Sequence, residues 1–268
     1  MRKDEMEILV TNDDGIDSPG IWALAEAMSR LGETLIVAPD RQQSGVGTAL
    51  SLHRDMKIVE APSRLEGVRA YAVGGTPSDC VIAGLRKLAT GHIDLLASGI
   101  NLGANLGRDI LYSGTAMSTL QGYFRNIPSM AVSLVMDSGR GAYFHSAAVA
   151  AELVAQRMTK GEIRTRAVLN INVPNIPLDE IKGIAVTNAA SRAYNKLSDK
   201  QNNNGMGYST ESRKISEIEL ERDTDIWAVI NGFISITPVR IEVTGHAEKP
   251  ALSRWTSKLE KDLNRLNV

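Results

Sequence analysis

Cysteine is almost absent, with Cys80 the only one in the chain. A single thiol excludes an intrachain disulfide framework and a cysteine-rich zinc site, and it fits a reducing cytoplasm. A basic excess is also missing: 30 Lys and Arg stand against 31 Asp and Glu. That removes the electrostatic footprint expected of a nucleic-acid-duplex binder. Aromatic residues make up 4% of the chain, too few for base-stacking platforms. No apolar run approaches the roughly 18 residues of a membrane span. The opening MRKDEMEILV mixes charges where a signal peptide would be apolar. The expectation is a soluble, cytoplasmic protein without membrane or nucleic-acid partners, able to bury a full core as one domain, with or without an appendage.

What is present is organised around Ile8–Gly20, ILVTNDDGIDSPG. The apolar run Ile8-Leu9-Val10 reads as a buried strand, Thr11-Asn12-Asp13-Asp14-Gly15 as a loop at its carboxyl end, and the Pro-Gly pair as the opening of a helix. Ligands of open α/β sheets bind at that strand end. Adjacent carboxylates repel unless a cation or hydrogen bonds offset the repulsion. Oxygen-only donors favour Mg²⁺, Mn²⁺ or Ca²⁺ over zinc. The competing reading makes Asp13 and Asp14 turn residues that bond loop N–H groups.

Ile21, Leu24, Ala25, Met28 and Leu31 repeat at helical spacing, and Thr34–Ala38 is a second buried strand. The loop after it, Pro39 to Gly47, offers Ser44 as an oxygen ligand beside the two aspartates, or as an ordinary turn serine. Met56–Val59 and Ala70–Val73 read as a hairpin-like excursion, and Thr76 as the cap of a helix that carries Cys80 as a packing residue. After the strand Ile93–Ala97, glycines and asparagines alternate from Ser98 to Asp109, and Ser113-Gly114-Thr115 opens a further helix. Such a stretch suits either an anion site built from free amides or a structural loop with a serine cap. Ser129–Val135, Ala142–Met158 and Val168–Val173 complete a strand–helix–strand series. The fold class is α/β, a Rossmann-like, mostly parallel sheet with helices on both faces. Residues 1–187 form this core. Residues 188–268 are expected to hold an irregular arm over Ser191–Ser216, a β-hairpin of Ile226–Ile230 and Phe233–Thr237 turning at Asn231-Gly232, and a helix over Leu252–Leu266. Trp255, Leu259 and Leu263 make an apolar stripe on that helix.

TNDDGIDSPG, APDRQQSG, GGTPSDCV and SGINLGANLGRDILYSGT, with looser matches in IPSMAVS and INGFISITP, resemble the SurE (survival protein E) family of metal-dependent nucleotide phosphatases. The resemblance implies one divalent cation, Mg²⁺ or Mn²⁺, held by Asp13, Asp14, Ser44 and Asn101. It implies that Asn12, Asn105 and Ser113-Gly114-Thr115 lie around the substrate phosphate, and that Asp13 and Asp14 serve catalysis. It further implies a homodimer or homotetramer built through C-terminal segments. One departure falls in Ala116–Gly122, where the family has small residues and a glutamate in place of Met117, Thr119 and Gln121.

The chemistry that follows is hydrolysis of nucleoside 5′-monophosphates, with 3′-monophosphates and short polyphosphate as further substrates. Asp13 and Asp14 are both available as base, and attack by water or by Asp13 itself is compatible with these residue types. Two other readings compete. A nicotinamide-dependent oxidoreductase would need a glycine fingerprint where this chain has Asn-Asp-Asp-Gly. A non-catalytic nucleotide-binding protein would keep the same motifs.

Overall fold

In the computed structural model, residues 6–136, 141–163, 165–191, 195–202, 205–212 and 221–266 are described. The first apolar run forms β1 (Glu7–Thr11), buried along its whole length. A strand buried on both faces needs helices on both. Ser18 caps α1 (Pro19–Ser29) by accepting from Gly20 N, and Pro19 occupies its first turn. β2 (Glu33–Pro39) follows, then β3 (Ile58–Glu60) antiparallel to β4 (Arg69–Val73), as the excursion predicts. Thr76 and Asp79 close a capping box on α2 (Pro77–Ala83). β5 (Ile93–Leu102), α3 (Gly114–Ser118), α4 (Leu120–Tyr123), β6 (Ser129–Val135), α5 (Phe144–Thr159) and β7 (Val168–Pro174) come next.

β4, β2, β1, β5, β6 and β7 lie side by side in that order and are mutually parallel. Ile8, Val10, Leu95 and Ala97 turn to the face packed by α1 and α5, and Leu9 and Leu96 to the face packed by α2. β5 runs past the expected end at Ala97. Its register against β6 shifts between Ser98 and Asn101, which carries the strand on to Leu102. Gly99 is required there, because its φ is +136° and a Cβ would meet the Val132 carbonyl oxygen at 2.3 Å.

Two expectations for the C-terminal region are overturned. After β8 (Gly183–Val186), the arm read as irregular contains β9 (Asn195–Asn202) and β10 (Gly205–Ser212), paired antiparallel with each other. Leu197, Met206 and Tyr208 are the few apolar residues in their sequences, too sparse for an alternation to announce the strands. Residues 203–204 between them lie outside the described residues. The second correction concerns the hairpin at Asn231-Gly232. Ile226–Ile230 lies in a helix, α6 (Asp225–Ile230), capped by Thr224, which accepts from Trp227 N. Asn231-Gly232 ends that helix, with Gly232 at φ +83°. A five-residue apolar run fits helix and strand equally, and the Thr224 cap decides it.

β11 (Phe233–Val239) then enters the main sheet between β7 and β8. Part of the region beyond residue 187 is therefore built into the core. α7 (Lys249–Leu266) closes the described chain. Among the described residues, no helix is long and apolar enough to cross a membrane.

Candidate active site

The sheet order turns back between β1 and β5, with β2 and β4 on one side and β6 and β7 on the other. Loops at the carboxyl ends of such strands diverge and leave a crevice. The loop after β1 lines it. Asn12 braces this loop from within: its Nδ2 donates to Gly15 O at 3.0 Å and its Oδ1 accepts from Gly15 N at 3.1 Å. The amide expected beside the substrate is thus engaged in holding the loop.

Asp13 is 4% exposed. Its Oδ1 accepts from the Thr115 hydroxyl, and its backbone carbonyl accepts from Gln43 N at 2.7 Å. Gly114 lies against it, so a Cβ at Gly114 would come within 2.8 Å of the Asp13 Cβ. Asp14 is more open. Its Oδ2 accepts from Leu102 N at 3.0 Å, and the Gln42 side chain also hydrogen-bonds to it. Gln42 Nε2 donates in turn to Ser44 Oγ at 3.2 Å, which ties the β2 loop to the aspartates. Asn101, next to Leu102, donates from Nδ2 to Gly103 O at 2.9 Å. Leu102 N and Gln42 thus tie the loops that carry Asn101 and Ser44 to Asp14.

Burial pushes the Asp13 carboxyl from 3.8 up to about 6. The Asp14 charge adds to the rise and the Thr115 hydroxyl opposes it. Burial also raises Asp14, against the hydrogen bonds from Leu102 and Gln42. Among the described residues, no Lys or Arg forms an ion pair with either carboxylate. Also among the described residues, no three His, Cys, Asp or Glu side chains gather as a metal site. A cation here would take two carboxylates and neutral oxygens, a donor set suited to a hard divalent ion.

The other expected residues divide. Ser113 caps α3, with Oγ accepting from Ala116 N at 2.9 Å, and this turn places Gly114 and Thr115 on Asp13. Asn105 is held more deeply. Its Nδ2 donates to Ser133 Oγ at 2.8 Å and its N to Asn172 Oδ1 at 3.0 Å. Its carbonyl accepts from Asn170 Nδ2 at 2.8 Å and from Asn172 Nδ2 at 3.0 Å. At the departure, Met117 is buried in the cluster with Ile110, Leu120 and Val168, so the larger side chain fills the core behind the turn.

Sequence reasoning missed Gln42, Asn170 and Asn172. For the asparagines a signal exists: in VLNINV they fall at i and i+2, on the same face of an otherwise apolar strand. Buried amides at that spacing need partners, and here the partner is the backbone of Asn105. Gln42 has no comparable signal, because its role depends on two loops meeting.

Comparison with known proteins places this arrangement among relatives. The family model "Survival protein SurE" matches residues 8–196. A "5′-nucleotidase SurE" of Dehalococcoides mccartyi is 43% identical over 232 residues, covering 87% of this chain and 88% of the relative. A "5′/3′-nucleotidase SurE" of Cronobacter sakazakii is 38% identical over 253 residues, covering 94% of this chain and 97% of the relative. The crystal structure of a SurE protein from Aquifex aeolicus superposes with a TM-score of 0.79 at 35% identity, covering 92% of this chain and 98% of that one.

Proposed function

Because the chain belongs to the survival protein SurE family, we propose that it is a divalent-metal-dependent phosphomonoesterase that hydrolyses nucleoside 5′-monophosphates, with 3′-monophosphates and short polyphosphate as further substrates. The nucleotidase part rests on the names of its relatives. The metal part is carried by one observation, the buried Asp13 beside Asp14 with no cationic side chain paired to either among the described residues. An Asn-Asp-Asp-Gly loop also disfavours a dinucleotide cofactor, whose pyrophosphate would meet two carboxylates.

Asp13, Asp14, Ser44 and Asn101 would hold one Mg²⁺ or Mn²⁺ per subunit, which when bound polarises a phosphoryl oxygen and acidifies water. The chain's own residues supply orientation. Thr115 holds the Asp13 carboxylate, and Gln42 spans Asp14 and Ser44. Asp14, the more accessible of the two carboxylates, can take a proton from an attacking water. On this reading, donors of the Ser113-Gly114-Thr115 turn would stabilise charge on the phosphoryl oxygens.

The same reading includes a homodimer or homotetramer through C-terminal segments, in a cytoplasmic setting. Trp255, Leu259 and Leu263 are 64%, 59% and 59% exposed on α7, a stripe that asks for a partner surface. β9 and β10 pair with each other in a sheet apart from the main one. Cys80 is a buried free thiol, as a reducing compartment allows.

The substrate is tested by kcat/KM across nucleoside 5′- and 3′-monophosphates, a sugar phosphate and short polyphosphate. Among the described residues of the loops after β1, β2 and β5, Tyr112 is the one strongly exposed aromatic. Discrimination among bases is therefore expected at about tenfold, near 1.4 kcal/mol. A preference beyond roughly a thousandfold for one base, or for the sugar phosphate, overturns the substrate reading.

A further inference from the structure

Asp225 contributes nothing to the crevice directly, yet its carboxylate reaches the backbone of a site loop. It is completely buried at the start of α6. Oδ2 accepts from Gly107 N at 2.7 Å, and Oδ1 accepts from Ala190 N at 2.9 Å and Ile226 N at 2.8 Å. Three N–H donors converge on one side chain. A carboxylate, which only accepts, suits all three, whereas an amide would aim N–H groups at N–H groups. Leu106 from the loop packs with Ile226 and Val229 from α6, and Ala104 and Ala190 lie against them.

The loop after β5 is therefore clamped on two sides. β7 grips Asn105 through Asn170 and Asn172, and α6 grips Gly107 through Asp225. Both grips are on backbone atoms, so they fix the path of the chain. That path leads directly into the turn Arg108–Tyr112 and then to Ser113, Gly114 and Thr115 against Asp13. Tyr112 O also accepts from Gly47 N at 2.9 Å, which couples the same stretch to the β2 loop.

We propose that Asp225 is a positioning residue for the phosphatase reaction: its carboxylate pins Gly107 and thereby sets where the Ser113-Gly114-Thr115 turn meets Asp13. The inference rests on the phosphatase reading for its catalytic consequence, though the clamp itself does not. Removing the carboxylate leaves buried N–H groups without a partner and frees the loop. Because the loop orients groups that act on the transition state, the loss falls on kcat rather than on KM.

The test compares wild type, Asp225→Asn and Asp225→Ser in the full chain, with Thr224→Ala as control. Thr224→Ala removes the cap of the same helix while leaving the clamp atoms in place. The readouts are kcat and KM for adenosine 5′-monophosphate with saturating Mn²⁺, the melting temperature, and native-state hydrogen exchange along the chain. Asp225→Asn is expected to lower kcat at least about tenfold with KM within about threefold. Exchange should accelerate over Gly107–Ser113 and stay unchanged at Leu9 and Val10. Asp225→Ser, whose shorter side chain cannot reach Gly107 N, should lower kcat and accelerate loop exchange as Asp225→Asn does. Thr224→Ala should lower the melting temperature and leave kcat and loop exchange near wild type. Wild-type kcat and loop exchange in Asp225→Asn overturn the proposal, as does an equal kcat loss in Thr224→Ala at equal stability loss. If wild type releases no phosphate, the activity reading has failed and the exchange pattern alone decides. Acceleration confined to the loop then sustains the clamp, and uniform or absent acceleration overturns it.

Discussion

Asp13 is a carboxylate held at the expense of stability. In metal-free protein its value rises from 3.8 to about 6, chiefly through burial. Between those values the folded state binds more protons than the unfolded chain, so stability falls as pH rises from about 4 to about 6 and levels off above. The span is on the order of 3 kcal/mol. Asparagine mimics the protonated form, so without metal Asp13→Asn should match wild type near pH 4 and melt higher above pH 6. Thermal melts of both proteins in EDTA across that range check this, and a difference that does not grow with pH contradicts it. The sequence singles out Asp13 and Asp14 as adjacent carboxylates after a strand, and the structure places them in the loop after β1 with Asp13 buried. Asp225 and the asparagines of β7 were harder to read. Each satisfies backbone groups of a loop remote in sequence, and such a role appears only when the chain is folded.

The turn into α3 shows how an element's own preference and the site's need can differ. Gly114 starts a helix, where Ala is better by about 1 kcal/mol on propensity alone. Its Cβ, however, would lie 2.8 Å from the Asp13 Cβ and 3.2 Å from Pro77 Cγ. Displacing a reacting group by about 1 Å costs up to about a hundredfold in rate. Gly114→Ala is therefore expected to lower kcat about tenfold to a hundredfold while the melting temperature changes little. Wild-type kcat in that variant would show that the turn does not set Asp13. Elements with a strong apolar period were readable: β1, β2, β6 and β7 stand within a residue or two of their expected bounds. β5 was read short because its continuation through Gly99 and Asn101 carries loop-forming residues inside a strand. α6 was read as a strand because β-branched residues and an Asn-Gly pair suit a hairpin as well as a capped helix end. β9 and β10 went unread because NKLSDKQN and GMGYSTES hold too few apolar residues to show an alternation.

At the scale of the molecule, the strand order places the crevice, and elements beyond residue 187 brace a loop beside it. β11 extends the sheet beside β7, and α6 backs the loop after β5. α7 is different, since its apolar stripe faces outward. Light scattering on the intact chain and on a chain ending before Lys249 tests its part in assembly. The intact chain should be a dimer or tetramer and the truncated one smaller. A monomeric intact chain with full activity rules the assembly out. The central claim is that the paired aspartates work with a divalent cation on a nucleotide phosphate. It is tested most directly by phosphate release from adenosine 5′-monophosphate in EDTA and after Mg²⁺ or Mn²⁺ is restored, for wild type, Asp13→Ala and Asp14→Ala. The account predicts no release in EDTA, recovery with metal, and a loss of roughly a thousandfold or more in either folded variant; full release in excess EDTA, or a variant as active as wild type, would contradict it.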